Sequence, residues 1–191
     1  MRKEKKKHGW LFPMFIIFIM VFSVFEIMLS GSSDTTNYNG YKVKTLQDGF
    51  ETKAGKTTIT TMYHPKQLES INAPSVNALD MMGKQTALTF DPEQENQMYS
   101  DYARFELEKF LNNIQVPTAS AVTKGGEYNL PIINCENATD NLIVVVFEQS
   151  NETKITKDGN CYTLTGASPQ EIIMAEDRFK LTIAGVMNST Q

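Results

Sequence analysis

Two cysteines and two histidines are all that 191 residues provide of the sulfur and imidazole side chains that bind zinc. Zinc takes about four ligands, and only His64 lies beyond the N-terminal tail, so a zinc centre is not expected. No C-x-x-C, H-E-x-x-H, G-x-S-x-G or phosphate-binding glycine loop occurs, and Gly125-Gly126 reads as a simple turn. These absences remove the common hydrolase, nucleotide and metal signatures, and no cofactor is expected. Basic charge is scarce as well. The formal net charge is −4. Arg2, Lys3, Lys5, Lys6 and Lys7 against Glu4 make the first eight residues +4, so the rest carries −8. An acidic exterior does not release phosphate counterions, which argues against nucleic acid as a partner. It serves instead to keep a domain soluble.

The sequence is rich in one apolar run. Trp10 to Phe25 is uncharged, Glu26 interrupts, and Ile27, Met28 and Leu29 finish it. Residues 10–29 are about the number a helix needs to cross a hydrocarbon core of about 30 Å. Pro13 sits in the first turn, where a missing N–H matters least. The basic cluster on the N-terminal flank predicts a cytoplasmic tail over residues 1–9 and a single-pass signal-anchor in the cell membrane. Residues 30–39 read as a flexible tether. Residues 40–191 then read as an extracytoplasmic domain of a size that buries a core unaided. Two rivals compete with the anchor. One is a cleaved secretory signal, poorly matched at Leu29-Ser30-Gly31. The other is a pilin-type leader cut after Gly9, whose mature helix here has Met14 where a polar residue is usual.

Within the domain, Tyr41 to Tyr63 alternates like a β-meander, with turns at Asp48-Gly49 and Ala54-Gly55-Lys56. Residues 66–83 suggest a short helix and loop. Thr86 to Phe90 is a strand, and Asp91-Pro92-Glu93 predicts a helix start with Asp91 as N-cap. That helix runs to about Asn113, with Tyr99, Ala103, Leu107, Phe110, Leu111 and Ile114 on one face. Val116 to Thr123 reads as extended and Pro131 to Cys135 as a short strand. Leu142 to Phe147 has the continuous apolar character of a central strand buried on both faces. Lys154 to Thr156 and Cys161 to Thr165 flank a hairpin turn. Ser168-Pro169-Gln170-Glu171 is a capping box that opens a helix carrying Ile172, Ala175, Phe179, Ile183 and Val186. The two strand–cap–helix units resemble a faint duplication. The expected class is α+β, a mixed sheet with two main helices on one face, behind a transmembrane helix.

Cys135 and Cys161 form an even pair, which favours a disulfide in an oxidising compartment. Free buried thiols and a redox or metal role are the alternatives. Three N-x-Ser/Thr sequons, at Asn137, Asn151 and Asn188, lie in predicted loops or the tail and are candidate N-glycosylation sites. His64, beside Pro65 at a strand end, reads as a surface residue. Asp101 and Arg104 have the spacing of a helix-surface pair. Asp177, within Glu176-Asp177-Arg178, reads as part of a solvated face, with a buried paired acid as the alternative. No catalytic residue emerges.

Three stretches, YNGYKVKTLQDGFETKAGK, LPIINCENATDN and DGNCYTLTGASPQEIIMAEDRFKLTIAGVM, resemble a set of uncharacterised archaeal single-pass membrane proteins. The two cysteines and Asp177-Arg178 are the most recognisable points. Phe50 stands where an aromatic, often Trp, is found in that set. The resemblance implies an anchor and a disulfide-bearing ectodomain, and brings no activity. The functional expectation is a non-catalytic interaction or envelope-assembly module with a protein partner and lipid contact through residues 10–29. A pilin-like subunit processed after Gly9 and an exported hydrolase with an unconventional site are the alternatives.

Overall fold

The computed structural model describes residues 11–29, 34–126 and 128–189. The chain divides into two units, Met1–Asp34 and Thr35–Gln191.

The first unit holds one helix, α1 (Leu11–Leu29, 19 residues). Its uncharged stretch ends at Phe25, before Glu26. At about 1.5 Å per residue that stretch covers roughly 22 Å, against a hydrocarbon core of about 30 Å. Among the described residues no helix is long and apolar enough to cross a membrane. This corrects the expected transmembrane signal-anchor over residues 10–29 and the single-pass localisation with a cytoplasmic N-terminus built on it. The sequence-based count included Trp10 and continued across the interruption at Glu26 to Leu29. Trp10 lies outside the described residues, as does Gly9, on which the pilin-type expectation rests.

The second unit is an α+β domain with two sheets. The first is an antiparallel meander of β1 (Thr35–Tyr38), β2 (Tyr41–Leu46), β3 (Gly49–Ala54) and β4 (Thr57–Thr61), in sequence order. The strand β1 falls within the segment expected to be a tether, and pairs Thr35 to Tyr38 with Tyr41 to Lys44. A 3-10 turn (Pro65–Leu68) and the short helix α2 (Ala78–Met81) lead to the second sheet.

That second sheet is mixed. Its strands are β5 (Gln85–Phe90), β6 (Thr118–Val122), β7 (Leu142–Gln149), β8 (Lys154–Asp158) and β9 (Cys161–Gly166), in the order β6-β5-β7-β9-β8. All neighbours are parallel except β8 and β9. The apolar run Leu142 to Phe147 is the central strand, as its continuous hydrophobicity predicts.

Two helices cover one face. The helix α3 (Gln97–Asn113) follows β5, and α4 (Pro169–Ile183) follows β9. Leu88, Phe90, Val145 and Phe147 meet Leu107, Leu111, Ile172 and Phe179 in the main core. The close passage from β9 into α4 depends on Gly166, where a Cβ would lie 2.4 Å from the Ile172 nitrogen. The start of α3 is a correction. Asp91 Oδ1 accepts from the Glu93 amide in a local turn, and the helix opens only after Asn96, in the left-handed conformation. An Asp-Pro pair signals turns as well as helix caps.

The opposite face buries Ala87, Val144, Val146 and Cys161 beneath Ile133, Ala138 and Leu142. The predicted strand at Pro131 to Cys135 does not form, beyond a single bridge from Ile132 to Val122. Instead the Asn134 side chain accepts from the Glu136 amide and starts a 3-10 turn at Cys135, a local bond that competes with strand pairing. Cys135 and Cys161 form a disulfide, with Cα atoms 5.3 Å apart. It holds the covering loop against the start of β9. The Thr89 hydroxyl, donating to the Ile133 carbonyl at 2.8 Å, adds a second tie.

Candidate functional site

The most concentrated chemistry in the domain sits where α4 crosses the end of the meander. Glu176, Asp177 and Lys180 fall on successive turns of α4, and all three are buried. Lys180 Nζ lies 3.1 Å from Glu176 Oε1, 3.0 Å from Asp177 Oδ1 and 3.0 Å from the Thr60 carbonyl of β4. Three oxygens thus surround an ammonium with three donors. Asp177 Oδ2 accepts from the Met62 and Tyr63 amides at 2.8 and 3.0 Å. The meander's last strand therefore ends on side chains of α4.

Two carboxylates face one ammonium, which leaves an excess negative charge if both ionise. Burial pushes Glu176 well above the usual carboxylate range, with neighbouring Asp177 adding to the rise against Lys180. Its Oε2 has no hydrogen-bond partner among the described residues. Burial raises Asp177 too, but Lys180 and the two backbone amides oppose the rise. Of the two acids, Glu176 is thus the one the site pushes further toward its protonated form, and Asp177 the one better held as the anion. The neighbouring acids raise Lys180 above its ordinary value despite burial. Glu176 and Asp177 side chains are each 1% exposed. Converging acids of this kind are what an unconventional hydrolase requires, yet these are closed off from any substrate. Their role is to join sheet and helix.

Asp177 was expected on a solvated face. Sequence reasoning preferred that face over a buried paired acid because three ionisable residues in a row, 176 to 178, with Lys180 close behind, imitate a surface. A signal was present. Glu176 falls between Ile172 and Phe179 on the apolar stripe of the same helix, where a charge needs a partner.

A shallow hollow of about 480 Å³ lies beside this cluster, between β4 and α3, lined by Thr58, Thr60, Glu106, Lys109, Phe110 and Asn113. The strand β4 is at the edge of its sheet. Thr60 turns its carbonyl away from β3 to meet Lys180, so Thr58, two residues earlier on the same strand, faces outward by the alternation of an antiparallel ladder. Lys180 and Asp177 occupy the second half of this edge. The first half, at Thr58, opens on the hollow. Glu106 and Lys109 pair with each other at 2.9 Å on its far wall.

The residues singled out from sequence are scattered. Asn137, Asn151 and Asn188 are all exposed. The Asn137 side chain accepts from the Asn134 amide, and the Thr153 hydroxyl of the second sequon donates to Glu171 at 2.7 Å. His64 is half-buried. Its Nδ1 accepts from the Lys66 amide, its Nε2 lies 2.9 Å from the Thr36 hydroxyl, and its ring meets Phe50 edge-on. Burial lowers its pKa, with Lys66 assisting. It ties β1 to the end of the meander as a neutral imidazole. Arg104 pairs with Asp101 as expected, and also with Glu108, both at 2.8 Å.

Comparison with known proteins adds no assignment: no family model, curated protein or solved structure matches the chain.

Proposed function

We propose that the domain is a non-catalytic interaction module that takes an extended segment of a partner protein on to the free edge of β4. The observation that carries this reading is the open half of that edge, at Thr58, standing over the hollow beside α3. An unpaired strand edge presents backbone donors and acceptors at the spacing another strand satisfies. Thr57-Thr58-Ile59-Thr60-Thr61 has high strand propensity and no charge. The opposite behaviour is seen at β8, an edge strand that carries Lys154, Lys157 and Asp158, residues of the kind that discourage pairing.

A photocrosslinking residue at position 58, followed by recovery of the full chain from its own cells, tests the reading. Adducts at position 58, with none from the same residue placed at Lys157, support strand addition. Recovery of the protein alone at every concentration tried rejects it.

A further inference from the structure

The two faces of the meander differ in charge as well as in burial. Val43, Thr52 and Ile59 stand opposite one another across β2, β3 and β4, and all three are buried. The alternate residues belong to the other face. They are Lys42 and Lys44 of β2, and Glu51 and Lys53 of β3. The three lysines are exposed, and with Glu51 they line a hollow of about 390 Å³. Neighbours on one face of a sheet stand roughly 5–7 Å apart, along a strand or across a ladder, and like charges at that spacing repel. Lys109, Lys124, Lys154 and Lys180 are each paired with an acid. No acid pairs with Lys42, Lys44 or Lys53 among the described residues, and Glu51, opposite Lys44 in register, forms no ion pair there.

Charge is sorted along the chain in the same sense. Residues 35–66 hold five lysines against two acids, whereas residues 67–191 hold eight lysines and arginines against seventeen acids. An anionic partner is drawn to the meander and repelled by the remainder. A flexible polyanion that wraps the domain meets both, while a planar anionic surface can meet the lysine face alone. The chain supplies a second observation. The helix α1 ends at Leu29, six positions before β1 begins at Thr35, and it exposes Met14, Phe15, Ile17, Phe18 and Phe22. A helix that is apolar all round requires an apolar cover. An apolar segment and a basic patch in one chain are the two signals that together hold a protein at an anionic lipid surface. Contact of this kind does not require a helix that crosses the bilayer.

We propose that the outer face of the meander docks on a lipid surface rich in anionic headgroups, the ammonium groups of Lys42, Lys44 and Lys53 meeting their phosphates. The contact uses the face of the sheet and not the edge of β4, so it stands or falls separately from strand addition.

Co-sedimentation of the full chain with vesicles tests the assignment. One set of vesicles is phosphatidylcholine alone, and the other replaces a third of it by phosphatidylserine. The parent chain is expected to partition at least tenfold more strongly on to the anionic set, with the difference shrinking as salt is raised. A lysine close to an anionic leaflet is worth roughly fivefold in partition. Lys42→Gln, Lys44→Gln and Lys53→Gln together, all at exposed positions, therefore lower partition on to the anionic set at least tenfold and leave the neutral set unchanged. Lys154→Gln with Lys157→Gln, on β8, leaves both unchanged. Four outcomes overturn the proposal. One is equal partition of the parent on to both sets. The second is a folded triple variant that keeps the parent's partition on to the anionic set. The third is an equal loss in the β8 variant, which would make the effect one of total charge. The fourth is polyglutamate binding the parent as tightly as the anionic vesicles do and losing affinity in the triple variant, which would assign the face to an acidic peptide.

Discussion

Lys180 Nζ donates to the Thr60 carbonyl across 3.0 Å, joining residues 120 positions apart. This bond closes the second half of the β4 edge, and the neighbouring carboxylates make it expensive to remove. Replacing Lys180 by Met leaves Asp177 buried without its cation. The expected loss is about 3–5 kcal/mol, the usual cost of breaking a buried ion pair from one side. Glu176→Gln, which mimics the protonated acid, is expected to cost less than about 1 kcal/mol, near the net worth of one hydrogen bond. Urea denaturation of both variants checks the contrast. Equal losses would contradict Glu176 as the acid pushed further toward its protonated form.

The same cluster sets a pH dependence. Glu176 and Asp177 hold their protons more tightly in the folded state than their ordinary values of 4.5 and 3.8 allow. The folded state then binds more protons, and stability falls as pH rises from the carboxylate range toward the folded values. Lys180 is raised above its ordinary 10.5, so its contribution is complete below that value and lost on going higher. Tyr102 and Glu106 of α3 face the same charges. Unfolding free energy measured from pH 5 upward is expected to decline, with a shallower slope in Glu176→Gln. A rise over that range would contradict the assignment.

The disulfide closes a loop between residues 26 apart in sequence. On the chain-entropy estimate its removal costs about 3–4 kcal/mol. The paired substitution of Cys135 and Cys161 by Ala is expected to lower the denaturation midpoint accordingly. It also loosens the cover over Ala87, Val144 and Val146, so amide exchange increases most on that face. Uniform exchange across both faces would count against the loop as a pinned cover.

Gly166 stands where main chain meets main chain. A Cβ there lies 2.4 Å from the Ile172 nitrogen and 2.7 Å from the Glu171 carbonyl carbon, and neither is a flexible side-chain end. Gly166→Ala is expected to destabilise by about 1–3 kcal/mol, the range for overpacking. A thermal melt unchanged from the parent would show that the β9-to-α4 passage has slack.

Much of this fold is legible in the chain. The apolar run Leu142 to Phe147 announces the central strand, and the serine and proline of Ser168-Pro169 mark the start of α4, where the Ser168 hydroxyl accepts from the Glu171 amide. Strong local signals suffice there because burial and capping act within a few residues. The errors arise where one local signal serves two structures. Asp91-Pro92 caps a turn and not a helix, and Asn134 converts an expected strand into a 3-10 turn. The N-terminal run was read as an anchor from its apolar count, while the described helix, whose uncharged stretch stops before Glu26, is not long and apolar enough to cross a membrane. The Glu176–Asp177–Lys180 cluster was hidden for another reason. Its partners at Thr60, Met62 and Tyr63 lie more than 100 positions away, and only the folded chain brings them to α4.

The most direct measurement of the central claim is partner capture by Thr58→Pro. Thr58 turns its amide outward, so proline removes a donor from the edge without breaking the β3–β4 ladder, and edge strands tolerate it. The reading predicts a melting temperature close to that of the parent chain and loss of the crosslinked partner. Capture undiminished in a folded Thr58→Pro variant would contradict strand addition at β4.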